Sequence, residues 1–440
     1  MQQQGEISLN TTSIPTESIP GSIDITSSFE SAYSSTKVAR KTLFFDCLRY
    51  IFQGALDKEL CTVLFLTAIP FFGVSTSAKT VLATLTTIGF IGMIFTPLTQ
   101  QLANRSRWNN MQVSALYFTL VSIAFFCAAF ATSWATFFIF IAIARICDKQ
   151  QIPLMIHVYC DNYSKIHRGF KVGTALACMP IGGIIFSQLI GHSWSKDPNH
   201  FRYMLFLASL LALSCAICFL KIPAKKVPLK QRPPLWDNFK FLASDRLFAG
   251  IILFYSFVAI ANQMTLPLRV EHLTKHKQGI DISYATILTI FAVIQPLASV
   301  ISGPLWGKLY DRVNLITMRQ CVTVCFLVGI PLFFATDNIN MIYLASILLG
   351  IGRSGGVIFW SLWISAIAPM DKISEYMGAN TAVMGLRDAL APILGCVLLE
   401  YTGPWGVGIT AFVLLVISLI GFEYLCRHPA YGQRILAMKK

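Results

Sequence analysis

Apolar residues run in blocks of about twenty, separated by short polar turns, from residue 60 almost to the end of the chain. Twelve blocks have the length of a bilayer-crossing helix, about 20 residues. They lie at 60–78, 81–102, 112–132, 135–157, 172–191, 202–220, 247–268, 283–306, 320–336, 341–368, 378–400 and 405–425. Between two of them sits Gly303-Pro-Leu-Trp-Gly-Lys-Leu-Tyr-Asp-Arg312, a glycine-led turn ending in a charge pair, suited to quick re-entry into the bilayer. A weaker twin occurs at Thr96–Arg105. The expected fold class is therefore an all-α polytopic membrane protein, its twelve transmembrane helices forming two pseudo-symmetric six-helix bundles.

The polar stretches divide the chain further. Residues 1–36 are rich in Ser, Thr, Ile and Gln and lack Lys and Arg, the composition of a disordered tail. Residues 37–59, opened by Lys37, Arg40 and Lys41, are expected as an interfacial segment. The first bundle then covers 60–220, a basic, proline-rich linker 221–246, the second bundle 247–425 and a basic tail 426–440.

Composition agrees with this layout. Charged residues make up 13% of the chain, against roughly 25% in soluble domains; mean hydropathy is +0.62. The net charge of +14 raises the question of nucleic acid. Its distribution answers it: of 35 Lys and Arg, 25 fall on one side of the assigned spans, 6 on the other, counting Arg202 at the outer edge of its span, and 4 deeper inside. Basic loops stay cytoplasmic, so both termini and the linker are expected there, in a cell (inner) membrane, with no nucleic-acid partner. The 12 cysteines are scattered through apolar runs, and Cys215 and Cys218 have no His or acid nearby. His272 and His276 are spaced i, i+4 beside Glu271, but Lys275 and Lys277 would repel a cation, so a solvated loop is expected. No phosphate-cradling loop, Ser-His-Asp arrangement or Cys/His cluster points to an enzyme, a cofactor or a metal.

The halves repeat. Pro304, Leu305, Leu309, Asp311 and Arg312 match Pro97, Leu98, Leu102, Asn104 and Arg105 at an offset of 207, and Ile351-Gly-Arg353 matches Ile143-Ala-Arg145 at 208. Pro392, Gly395 and Gly403 match Pro180, Gly183 and Gly191 at 212. Twelve spans in two repeats, a basic central linker and a Gly-x-x-x-Asp-Arg turn after the eighth span resemble the major facilitator superfamily. Gly307, Asp311 and Arg312 fit that family's gating-turn motif, with Arg319 a loose match for its later base. The first copy keeps only Asn104 and Arg105 and carries Gln100 where the glycine would stand. The resemblance covers roughly residues 50–425. It implies alternating access, the two halves rocking about a central site.

An ionisable residue at mid-bilayer is costly and marks a functional site by default. Arg145, Lys149, Arg353 and Arg387 fall inside spans, with only Asp148 and Asp388 near them. Asp148 shares a helix face with Arg145 and is expected to pair with it; Asp388, next to Arg387 in sequence, is expected to point away. Four bases against two acids favour an anionic solute, because arginine offers a planar fork to carboxylate or phosphate. Asn262, Gln263 and Gln295 lie at similar depth and would orient it. Asp148, Lys149 and Asp388 are the coupling or ion-pair candidates. For each base the bland alternative is a structural ion pair, and for the amides an interhelical hydrogen bond. The expected function is a secondary active transporter of a small organic anion in the lipid bilayer, coupled to protons and monomeric. Two alternatives are a drug/proton antiporter and a non-transporting receptor or assembly factor on the same scaffold.

Overall fold

The structure, a computed structural model, describes residues 25–56, 68, 71–73, 78–194, 201–225, 237–273, 282, 286–287, 289–369, 372–429 and 431–432. The described residues are helices and the turns between them. In the first half these are α1 (Ile25–Ala55), α2 (Ala78–Ile94), α3 (Thr96–Arg105), α4 (Asn110–Ala129), α5 (Trp134–Asp148), α6 (Ile152–Asn162), α7 (Arg168–Trp194) and α8 (Phe201–Lys221). After α9 (Asp237–Ser244) come α10 (Arg246–Leu273), α11 (Gln295–Arg312), α12 (Leu315–Phe334), α13 (Ile339–Leu362), the short α14 (Ile364–Ile367) and α15 (Ile373–Arg427). Among the described residues, eight helical segments have the length and hydropathy to cross a membrane; the last, Glu375–Arg427, is 53 residues and is really two. Gly403 breaks it with a φ of 68°, and Pro404 starts the second piece. Glycine tolerates the left-handed turn and proline suits the first position of a helix.

Turn chemistry is what separates the helices so sharply. Asn109 and Gln112 form a reciprocal capping box at the start of α4, and Ser133 and Asn314 cap α5 and α12 with their side chains. Each satisfies a backbone N–H that the first helical turn leaves without a partner.

The entry into the first bundle differs from the sequence reading. The helix begins at Ile25, inside the stretch expected as a tail; residues 1–24 lie outside the described residues. The segment expected along the membrane surface, 37–59, supplies the end of α1, which packs on α7 and α8 with Asp46 and Arg49 fully buried. Asn162, at the end of α6, donates one hydrogen bond to Thr42 and another to the carbonyl of Pro223 just past α8. At the opposite ends of α5 and α8, Phe72 packs on Trp134 and on Phe201. Thr42 and Phe72 therefore sit at opposite ends of the first bundle. Most of the block expected as the first span, 60–78, lies outside the described residues.

The halves meet along two seams. In one, α7 lies on α11, and a Cβ added at Gly307 would sit 2.5 Å from the Gly169 carbonyl. In the other, α2 lies on α15, where a Cβ at Gly385 would sit 2.6 Å from the Phe90 carbonyl. Both contacts need glycine because backbone touches backbone. Both halves are thus drawn together at the end that carries the linker.

Candidate functional site

The second copy of the turn ties the two halves together. Both carboxylate oxygens of Asp311 accept backbone N–H groups across the seam, from Gly169 and Phe170, each at 2.8 Å. A carboxylate at the N-terminus of α7 satisfies free donors and complements the helix dipole, worth roughly 1–2 kcal/mol when partly buried. Gly307 is buried beneath it, while Arg312 is exposed. In the first copy Arg105 is exposed, and Gln100 is buried with neither amide atom hydrogen-bonded. Among the described residues, the second copy alone shows this carboxylate latch. Replacing Asp311 with Asn is expected to open the α7–α11 seam in a larger share of molecules, by about tenfold. Distances between spin labels at Ile166 and Leu305, both exposed, should then move to longer values; an unchanged distribution would remove the latch role.

Buried charge gathers in two clusters, one per half. In the first, Asp46, Arg49 and Gln53 recur at i, i+3 and i+7, which puts them on one face of α1. Asp46 accepts Nε of Arg49 at 3.0 Å and the hydroxyl of Tyr159 at 3.0 Å. Nη1 of Arg49 donates to Gln53 at 2.7 Å and to Gln151 at 2.8 Å. Gln53 passes the chain on to Asp148 at 3.0 Å, and Asp148 takes Lys149 at 2.6 Å. The expected Arg145–Asp148 pair is not formed. Lys149 opens a 3₁₀ turn, Lys149–Gln151, and reaches back to Asp148, whereas Arg145 donates to the Leu56 carbonyl at 3.3 Å. None of Asp46, Arg49, Gln53 and Gln151 was singled out by the sequence reading, since all but Gln151 fall in the segment assigned to the surface.

The second cluster centres on Tyr255 of α10. The guanidinium of Arg319, from α12, lies 4.3 Å from the ring centroid and that of Arg387, from α15, 4.7 Å. Arg319 also covers Phe359 of α13 at 5.3 Å. Arg387 donates through Nε to Asp388 at 2.8 Å and through Nη1 to Ser256 at 3.1 Å. Asp388 was expected to point away; the arginine side chain is long enough to curl onto its sequence neighbour. Nη2 of Arg387 and Nε of Arg319 are buried without a hydrogen-bond partner. The two cations are at most about 9 Å apart, the two ring distances end to end, which at an effective dielectric of 20 costs about 2 kcal/mol. Among the described residues of this cluster, Asp388 is the one buried carboxylate beside Arg319 and Arg387.

The remaining candidates divide. Asn262 accepts Nη2 of Arg269 at 2.9 Å, so it serves a structural arginine that the sequence reading placed just past the span. Gln263 and Arg353 are half-buried. Gln295 is buried, its carbonyl pressed by Gly350. The run Gly350–Gly356 thus serves close packing of α13 on its neighbours, Gly355 lying on Trp306. His272 is buried rather than solvated, set against Phe334 at 5.3 Å, because the α10 helix continues to Leu273. His276 and the lysines beside it lie outside the described residues.

Two helical bundles meeting at glycine seams, with buried charge inside each, define a polytopic membrane transporter. Residues 60–295 and 272–437 match the Major Facilitator Superfamily, and the chain belongs to that family. A stretch of 137 residues is 25% identical to the MFS-type transporter gkaD of Penicillium citrinum, covering 30% of this chain and 24% of that protein. Another of 104 residues is 25% identical to the efflux pump DEP3 of Fusarium langsethiae, covering 24% and 19%. The chain thus aligns with less than a quarter of either relative's length. Whole-chain likeness is seen in structures: the human organic anion transporter MFSD10 (TM-score 0.67, 14% identity, 88% of this chain and 99% of that one) and the proton:xylose symporter XylE (0.66, 12%, 92% and 100%). At such identities the likeness is one of fold.

Proposed function

We propose that this transporter carries a small organic anion by alternating access, with Arg387 and Arg319 as its charge readers. The observation behind this is the Tyr255 cluster: two guanidiniums on one ring, one carboxylate, and buried donors left over. A buried cation left unmatched is costly, and a solute carboxylate or phosphate supplies what is missing. Proton coupling would run through Asp148 and Lys149, which the Gln53 bridge ties to Asp46. The working form is a monomer in the cell membrane, with termini and linker on the cytoplasmic side and the Asp311 latch closing that side.

The match to an efflux pump supports a second reading, export, for which cationic drugs are the class to test. Thermal unfolding of the detergent-purified protein across a solute panel separates the two, since a ligand that binds the folded state raises its midpoint. The panel runs from carboxylated and phosphorylated metabolites through neutral sugars to cationic dyes. Stabilisation by anions that is lost in Arg319→Ala is the expected result. Stabilisation by dyes that survives in the variant would replace this reading with the exporter.

A further inference from the structure

We infer that the Tyr255 cluster is a subsite for a single carboxylate, and that Asp388 sets the valence of the anion it accepts. This rests on the anion reading above and makes it specific. Among the described residues, Asp388 is the only carboxylate paired to either guanidinium of the cluster, which leaves the group one positive charge in excess. A monoanion balances that charge. A dianion would leave a net negative charge in a buried site, and a neutral solute would leave the positive one.

The pairing geometry explains why the count stays fixed through a transport cycle. Arg387 and Asp388 are adjacent on one helix and joined through Nε at 2.8 Å. A counter-ion on another helix could be left behind when the halves rock; this one travels with its arginine. What Asp388 leaves unused is Nη2 of Arg387, buried and without a partner, and the guanidinium of Arg319, whose contacts are the faces of Tyr255 and Phe359. A carboxylate has two oxygens and can take a donor from each arginine. Behind the pair, Phe359 and Trp363 are stacked at 6.2 Å with their planes 4° apart, and Trp363 stacks in turn on Phe248, a fully buried apolar backing. The arginine of this pair that the turn motif seemed to claim, Arg319, is thus a binding residue. It sits only five residues into α12, yet is 1% exposed.

The test uses three probes on one ring: benzoate, terephthalate and benzamide, with one, two and no charges. Unfolding midpoints of the full-length protein are measured against the concentration of each. The wild type should favour benzoate over both others by about tenfold, the least that an unmatched buried charge costs. Asp388→Asn raises the cluster's charge by one and should move the preference to terephthalate. Arg319→Gln lowers it by one and should move the preference to benzamide, an independent reading should the first variant fail to fold. A wild type that favours terephthalate, or variants that keep the wild-type order, overturn the inference while leaving the anion reading intact, provided carboxylates still outrank the amide. A wild type stabilised by cationic dyes and by neither carboxylate overturns both.

Discussion

Arg49→Met is expected to destabilise the protein by about 3–5 kcal/mol, the usual cost of breaking a buried ion pair from one side. Arg49 is fully buried and its donors hold three groups at once: the carboxylate of Asp46 and the amides of Gln53 and Gln151. Its planar face also lies 3.8 Å from the Tyr50 ring centroid and 4.9 Å from that of Phe219, which ties α1 to α8. Methionine fills much of the volume and keeps the apolar contact. What remains is Asp46, charged, with the Tyr159 hydroxyl as its hydrogen-bond partner. Removing that charge too, in Asp46→Asn/Arg49→Met, should return most of the loss, because an uncharged pair has no desolvation to offset. Equilibrium unfolding in detergent of both single variants and the double closes the cycle. A single-variant cost below about 1 kcal/mol would mean the pair is solvated, as on a surface helix, and would return residues 37–55 to the membrane interface.

The same residues show what the sequence could and could not reveal. Hydropathy blocks and turn residues located most of the helices, since twenty apolar residues bounded by Asn109, Ser133 or Asn314 have few other conformations open to them. The repeat and the Gly307–Asp311 turn were legible for a similar reason: a backbone-to-backbone seam tolerates glycine almost alone, and a helix N-terminus wants a carboxylate. The buried end of α1 was not legible. Its charges lower the average that defines a block, and only their i, i+3, i+7 spacing, one buried face, marked them as interior. Partner choice was the other blind spot. Helix geometry favoured Arg145 for Asp148, but the chain tightens into a 3₁₀ turn there and Lys149 takes the carboxylate. Adjacency seemed to part Arg387 from Asp388, yet a long side chain overrides it. Arg319 and Arg269 stand at helix ends, where a sequence window reads an arginine as a boundary and a folded bundle can bury it.

Arg387→Ala should lower anion binding by about 2–5 kcal/mol, the range for removing one partner of a buried, hydrogen-bonded charge pair. The lower limit is already roughly thirtyfold. Arg387→Lys keeps the charge but gives up the fork that reaches Asp388 and Ser256 together, so it should fall between the two. Arg427, 81% exposed and paired with Glu423 on the surface, is the control, and its alanine variant should match the wild type. The most direct measurement is uptake of labelled benzoate into liposomes containing the purified protein, wild type beside Arg387→Ala, Arg387→Lys and Arg427→Ala. Saturable uptake that is lost in the first, reduced in the second and unchanged in the third is the expected result. Uptake that is equal in wild type and Arg387→Ala, or a wild type that moves a cationic dye and no carboxylate, would contradict a positively charged, anion-reading interior.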